Sequence, residues 1–238
     1  MAAGWVDAVV GGGGLLQLPA LLLAGLSPVE ALATNKSASV FGTTSAAYTY
    51  ARRTGVDRIA VPAGVAAVLS SAGGALLAAL LDPAVLKPLI IVILVGVAAF
   101  VALRPSFGAV ALPDRRTRAR VVAAVLAAGV AIAFYDGLVG PGTGTFLIIV
   151  FTSVIGMDFV RASATSKIIN MGTNLGAIAV FAAQGHVVWA LGLAMGVANI
   201  AGAQLGARMA LKRGAGFVRA VLLTVVSALV LRLGWDLL

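Results

Sequence analysis

The sequence predicts an all-α polytopic membrane protein built from two inverted-topology repeats. Three observations carry this prediction. Long apolar segments recur along the whole chain, a pattern of Asp, Gly and Lys occurs twice, and basic residues are distributed oppositely in the two halves.

The apolar content comes first. Of the 238 residues, 61% are hydrophobic and only 11% are charged, whereas soluble domains carry about 25% charged residues. A water-soluble fold of this size has too little interior to hide such a surface. Apolar segments run at about 14–26, 31–50, 59–81, 85–103, 120–138, 143–156, 161–184, 187–208 and 215–235. Many approach the roughly 20 residues that a helix needs to cross hydrocarbon. The runs are continuous rather than alternating, which argues against a membrane β-barrel.

The duplication comes next. Asp7-Ala-Val-Val-Gly11-Gly-Gly13 aligns with Asp136-Gly-Leu-Val-Gly140-Pro-Gly142. Ala33-Thr34-Asn35-Lys36 aligns with Ala164-Thr165-Ser166-Lys167, and Ala72-Gly73-Gly74-Ala75-Leu76 with Ala201-Gly202-Ala203-Gln204-Leu205. The chain is therefore divided into a first repeat (1–103), a basic connector (104–119) and a second repeat (120–238). Each repeat reads as a glycine-broken helix hairpin followed by three transmembrane helices. In the second repeat the return arm at 143–156 is only about 21 Å long at 1.5 Å per residue. That favours a hairpin that re-enters over one that spans fully. In the first repeat only residues 1–10 precede the glycine break, so a shorter first arm is expected for its hairpin.

Charge placement supplies the orientation. In the first half, Arg52, Arg53 and Arg58 lie between the first and second helices after the hairpin; the equivalent loop of the second half holds only His186. One loop later the bias reverses, with Asp82 and Lys87 in the first half against Arg208, Lys212, Arg213 and Arg219 in the second. The stretch between the halves adds Arg104, Arg115, Arg116, Arg118 and Arg120. By the positive-inside rule these basic loops are cytoplasmic and the two repeats face opposite ways. The same reading explains the net charge of +9 without nucleic acid. It places the protein in the cell membrane as a multi-pass chain.

Enzyme chemistry finds little support. There is no cysteine and one histidine, so thiolate chemistry and Cys- or His-clustered metal sites are excluded. No catalytic residue, metal ligand or cofactor is expected. The glycine runs are not a dinucleotide fingerprint, because no strand precedes them, nor a phosphate-binding P-loop, because no Gly-Lys-Ser/Thr follows.

The candidate site is assembled from three duplicated features. Irregular backbone within a membrane occurs only against protein or a wet cavity. Glycine breaks at Gly13, Gly14, Gly142, Thr143 and Gly144 would then offer helix N-termini, whose free N–H groups attract anions; the plainer reading is close helix packing. A lysine inside a membrane segment is a functional candidate by default, although snorkelling to the interface is the bland alternative. Lys36 and Lys167 are such a pair. Thr34, Asn35, Thr165, Ser166, Asn170 and Asn174 stand beside them as neutral hydrogen-bonding groups. The acids Asp7 and Asp136 would counter the lysines or carry a coupling proton. Gln204 and Asn199 are read as interhelical hydrogen-bonding residues, His186 as a loop residue, and Trp5, Trp189 and Trp235 as interfacial anchors.

These residues resemble the TauE/SafE sulfite-exporter family of membrane transporters. The resemblance rests on Asp7-Ala-Val-Val-Gly-Gly-Gly-Gly-Leu-Leu-Gln-Leu-Pro19, on Ala33-Thr-Asn-Lys-Ser-Ala-Ser-Val-Phe-Gly-Thr43, and on Gly140-Pro-Gly-Thr-Gly-Thr-Phe146 followed by Ala164-Thr-Ser-Lys167. It implies duplicated halves and export or import of sulfite, sulfonates or related small anions. The function expected is thus a secondary transporter of small anions, an exporter by resemblance, working by alternating access. An anion channel on the same scaffold is the alternative. The expected partners are a small anionic substrate and the lipid bilayer, with no nucleic acid; a homo-oligomer is compatible with the sequence.

Overall fold

Glycine, proline and capping residues set the helix limits in this chain. The computed structural model describes residues 1–103 and 113–235. Much of the connector, including Arg104, and the side chains of Arg219, Arg232 and Trp235 lie outside the described set.

The first half opens with α1 (Ala2–Val10), which stops where Gly11 takes a left-handed conformation with φ 75°. The return arm α2 (Gly13–Leu23) follows. Ser27 and Glu30 then cap each other reciprocally and Pro28 opens the long helix α3 (Pro28–Thr54), a combination that fixes a helix start. Next come α4 (Ala60–Leu80) and α5 (Pro83–Leu103).

The second half begins after a short 3₁₀ turn at Pro113–Arg115. Its first helix, α6 (Arg118–Leu138), widens to π geometry over Ala127–Ile132. It breaks before Gly142, whose φ is 79°, and α7 (Thr143–Ile155) leads away. Asp158 caps α8 (Phe159–Ala183) by accepting from the Val160 and Arg161 amides. The last two helices are α9 (Trp189–Gly214) and α10 (215–235), separated at Gly214 by non-helical backbone.

The helices thus fall where the hydropathy places them, with two revisions. A short helix, α1, occupies residues that the apolar segments left out. Polar ends also extend several helices: α3 starts three residues early because of its capping box, and α9 runs past Arg208. Among the described residues there is no strand.

Helices α4, α6 and α9 are long and apolar enough to cross a membrane. Their outward faces carry exposed Val61, Val65, Leu69 and Leu80 on α4 and Leu193 and Val197 on α9. Such a belt suits lipid rather than water as solvent. Helices α3 and α8, with 27 and 25 residues, are long enough to cross but are polar at their middles. They lie at the centre, packed on each other.

The halves interleave. Helix α4 packs on α8 and α6 of the second half, and α9 packs on α3 and α1 of the first. Small residues permit these close approaches. A Cβ at Gly176 would lie 2.1 Å from the Val68 carbonyl oxygen, and one at Gly202 2.0 Å from that of Met1.

Two apolar clusters form. One gathers Val9, Val10, Ala46, Tyr50, Phe151 and Phe159. The other gathers Leu18, Ala31, Leu32, Leu86, Ala177 and Phe181. Along both α3 and α8 the polar stretch lies between residues of one cluster and residues of the other.

Trp5 departs from the expectation of an interfacial anchor. It is half-buried, donates its indole N–H to Met209 Sδ at 3.3 Å and meets Phe217 edge-on. It packs α1 against the last two helices. Trp189 is exposed.

Candidate functional site

The two glycine breaks meet. A Cβ on Gly11 would sit 2.4 Å from the Gly144 Cα, so the turn of the first hairpin touches the start of the second hairpin's return helix. Only glycine at both positions allows that approach. Thr145 Oγ1 donates to the Val10 carbonyl at 2.7 Å, which occupies one of the carbonyls released by the end of α1.

Each lysine reaches across to the aspartate of the other half. Lys36 Nζ lies 2.6 Å from Asp136 Oδ2, both side chains being almost fully buried. Lys167 Nζ lies 2.9 Å from Asp7 Oδ2 and also donates to the Asp7 backbone carbonyl. Burying four charges is costly; each pair offsets that cost only while both partners remain. Neutral donors complete the carboxylates. Thr143 Oγ1 donates to Asp136 Oδ1 at 2.6 Å, and Thr43 Oγ1 to Asp7 Oδ2 at 3.3 Å.

A small cavity of about 20 Å³ lies among these groups, enough for about one water. Gly11, Gly14, Gly140 and Gly144 form its backbone wall, and Asp7, Lys36 and Asp136 supply charge. Asn35, Ser39, Thr143, Asn170 and Asn174 supply neutral polar groups. The Asn35 Oδ1 atom is buried without a hydrogen-bond partner among the described residues, as are the hydroxyls of Ser163 and Ser166. Buried polar atoms are rarely left so.

Other expected residues lie elsewhere. The Thr34 hydroxyl accepts from the Val188 amide at 3.1 Å and so anchors the start of α9. Thr165 donates back to the Arg161 carbonyl of its own helix. Ser166 is buried outside the cavity wall, Gly13 lies against Asp7, and Gly142 provides the turn before α7. Lys167 stands behind Asp7 rather than at the wall. Asn199 donates to the Ala38 carbonyl and accepts from Gln17, while Gln204 donates to Ser45. Both tie α9 to the first half.

Ser39 and Thr43 were not among the expected residues. They follow Lys36 at the spacing with which Asn170 and Asn174 follow Lys167. The internal alignment therefore held that signal, since positions three and seven residues on share a helix face.

A polar, charge-paired centre inside an apolar, all-helical membrane body defines the class: an integral membrane protein with a polar site at its core. The chain belongs to the sulfite exporter TauE/SafE family, whose model matches residues 1–233, and so to a class of membrane transporters. It is 38% identical over 232 residues to the probable membrane transporter protein ORF9 of Sinorhizobium sp, covering 97% of this chain and 88% of that one. It is 34% identical over 237 residues to the probable membrane transporter protein YfcA of Escherichia coli strain K12, covering 99% and 87%. A probable membrane transporter protein of Haemophilus influenzae is 31% identical over 235 residues, covering 98% and 91%. No solved structure matches the chain.

Proposed function

We propose that the protein is a secondary transporter of small anions, with sulfite and related sulfur oxyanions or sulfonates as its substrate class. The observation that supports this most is the crossed pair of ion bridges, Lys36–Asp136 and Lys167–Asp7, at the meeting point of the two glycine breaks. The four charges cancel. An arriving oxyanion would take an aspartate's place beside a lysine and recruit Asn35, Ser39 and Thr143. A proton on Asp136 or Asp7 would release the lysine for that exchange, which is a route to proton coupling.

The two halves form inverted repeats on this reading. The exchange of partners between α4–α8 and α9–α3, and between α4–α6 and α9–α1, is what a twofold axis in the membrane plane would produce. The basic loops are then cytoplasmic, and the glycine hairpins re-enter from opposite sides. On this reading the apolar clusters around Tyr50 and Phe181, which flank the polar stretches of α3 and α8, serve as the two gates, and one half moves against the other to open each in turn. A central cavity of only about 20 Å³ is too small for an open pore and favours alternating access. Outward movement of an anion follows the inside-negative potential, worth about 2.3 kcal/mol per charge per 100 mV, which suits an exporter.

Sulfite, thiosulfate, sulfate and methanesulfonate should be offered in turn to purified protein while its melting is followed. A ligand that binds only the folded form raises the apparent melting temperature. A shift with at least one sulfur oxyanion that disappears in Lys36→Met is expected. Equal melting with all four would overturn the substrate class. Saturable counterflow in proteoliposomes supports a transporter; large single-channel currents support a channel.

A further inference from the structure

A second, roomier cavity lies away from the central site, at the end of the molecule where the last turns of α3 meet α9. It measures about 750 Å³. The last turns of α3 line it with Tyr48, Arg52 and Arg53, and α9 lines it with Gln204, Arg208 and Lys212. Four cations thus converge from two helices, and no carboxylate lines the cavity. None of the three ion pairs among the described residues involves them. Nearby Arg116, in contrast, is paired with Asp57 at 2.7 Å.

Neutral partners orient two of the cations. Arg52 stacks over the Tyr48 ring, 4.9 Å from its centroid, and Arg208 donates to Gln204 Oε1 at 3.1 Å. Gln204 donates onward to Ser45 at 3.0 Å. Topology alone explains basic residues in loops. It does not explain four of them gathered around one open cavity with their charges unneutralised.

We propose that this cavity is an anion-binding vestibule, which takes a compact multivalent oxyanion from the adjoining aqueous phase and concentrates it above the central site. A recess lined by one sign of charge raises the local concentration of counter-ions by about 10- to 1000-fold. The role in delivery rests on the anion-transport reading; the binding itself does not.

The test is calorimetric binding of pyrophosphate, too large for the central cavity, to detergent-purified full-length protein. Wild type is compared with Arg52→Gln/Arg208→Gln, and with Arg118→Gln/Arg120→Gln as a control for net charge. The expected result is a dissociation constant raised about tenfold in the first double variant and unchanged in the control. The difference should shrink at high salt, because exposed charges are screened over about 10 Å at 0.1 M. Equal affinity in wild type and both variants would overturn the proposal. So would loss of binding in nanodiscs of anionic lipid but not of zwitterionic lipid, which would assign the cavity to lipid headgroups. Melting in detergent confirms that each variant is folded. Should pyrophosphate bind through Arg52 and Arg208 while no sulfur oxyanion shifts the melting temperature, the vestibule stands and the proposed substrate class falls.

Discussion

Lys36 and Asp136, a hundred residues apart in sequence and on opposite halves of the chain, meet 2.6 Å apart in the buried centre of the helix bundle. The pair binds α3 to the end of α6. A contact of this kind is worth little as a pair yet costly to break, because a lone buried charge has nowhere to go. Removing one partner should therefore be more harmful than removing both.

The first prediction follows from that asymmetry. Lys36→Met should destabilise the folded protein by about 3–5 kcal/mol, while Lys36→Met/Asp136→Leu should recover more than half of the loss. Reversible unfolding in mixed micelles measures both. A double variant no better than the single would show that the carboxylate is not left stranded.

A second prediction concerns the meeting of the hairpins. Gly144→Ala should prevent correct folding, since its Cβ would lie 2.4 Å from the Gly11 Cα and neither backbone can yield. Gly25→Ala is the comparison. Its φ is 90° but nothing lies within 4 Å, so the strain alone should cost about 1–2 kcal/mol. Similar yields of folded protein from both would refute the packing argument.

The two apolar clusters lead to a third. Tyr50, which donates its hydroxyl to the Ala8 carbonyl at 3.0 Å, and Phe181 are both fully buried. Each lies fourteen residues beyond the lysine of its own helix. If they close opposite ends of the site, Tyr50→Ala or Phe181→Ala alone should leave anion movement coupled and saturable. The two together should produce an unsaturable leak in proteoliposomes. A leak from either single variant would mean that one closure does all the sealing.

A fourth prediction is about pH. Asp57, in the loop between α3 and α4, accepts two hydrogen bonds from Arg116, at 2.7 and 2.8 Å, and these hold its carboxyl below the usual carboxylate range. A carboxyl depressed by folding adds stability above its unfolded pKa of about 3.9 and loses it as pH falls through the folded value. The Arg116 side chain is 42% exposed, so the gain is about 1 kcal/mol or less. Asp57→Asn should melt slightly below wild type at pH 7, and the gap should close toward pH 3. A gap that persists unchanged to pH 3 would show that the charge is not its source.

Much of the helical layout was legible because hydrocarbon makes a one-dimensional demand. A segment either has the apolar length to cross or it does not, and Pro28, Gly11, Gly142 and Gly214 mark boundaries by local backbone chemistry. The short helix α1 escaped that reading. Nine residues are too few for a hydropathy signal, and α1 is held by packing on α9 through Gly202 and Gly206. The candidate site was legible as a set of residue types. Lys36, Lys167, Asp7 and Asp136 stood out as charges in apolar surroundings, and duplication tied them together.

What the sequence by itself determined is the membrane class, the placement of most helices and the inventory of polar groups, since each follows from composition or from neighbours within a turn or two. Which groups share the cavity was decided only by tertiary structure. Lys36 and Asp136 belong to different halves, Thr34 turns to the Val188 amide instead of the site, and Lys167 stands behind Asp7. Such choices depend on how α3 and α8 cross and how far glycine lets the hairpins approach. That is a matter of three-dimensional packing, in which separation along the chain carries no information.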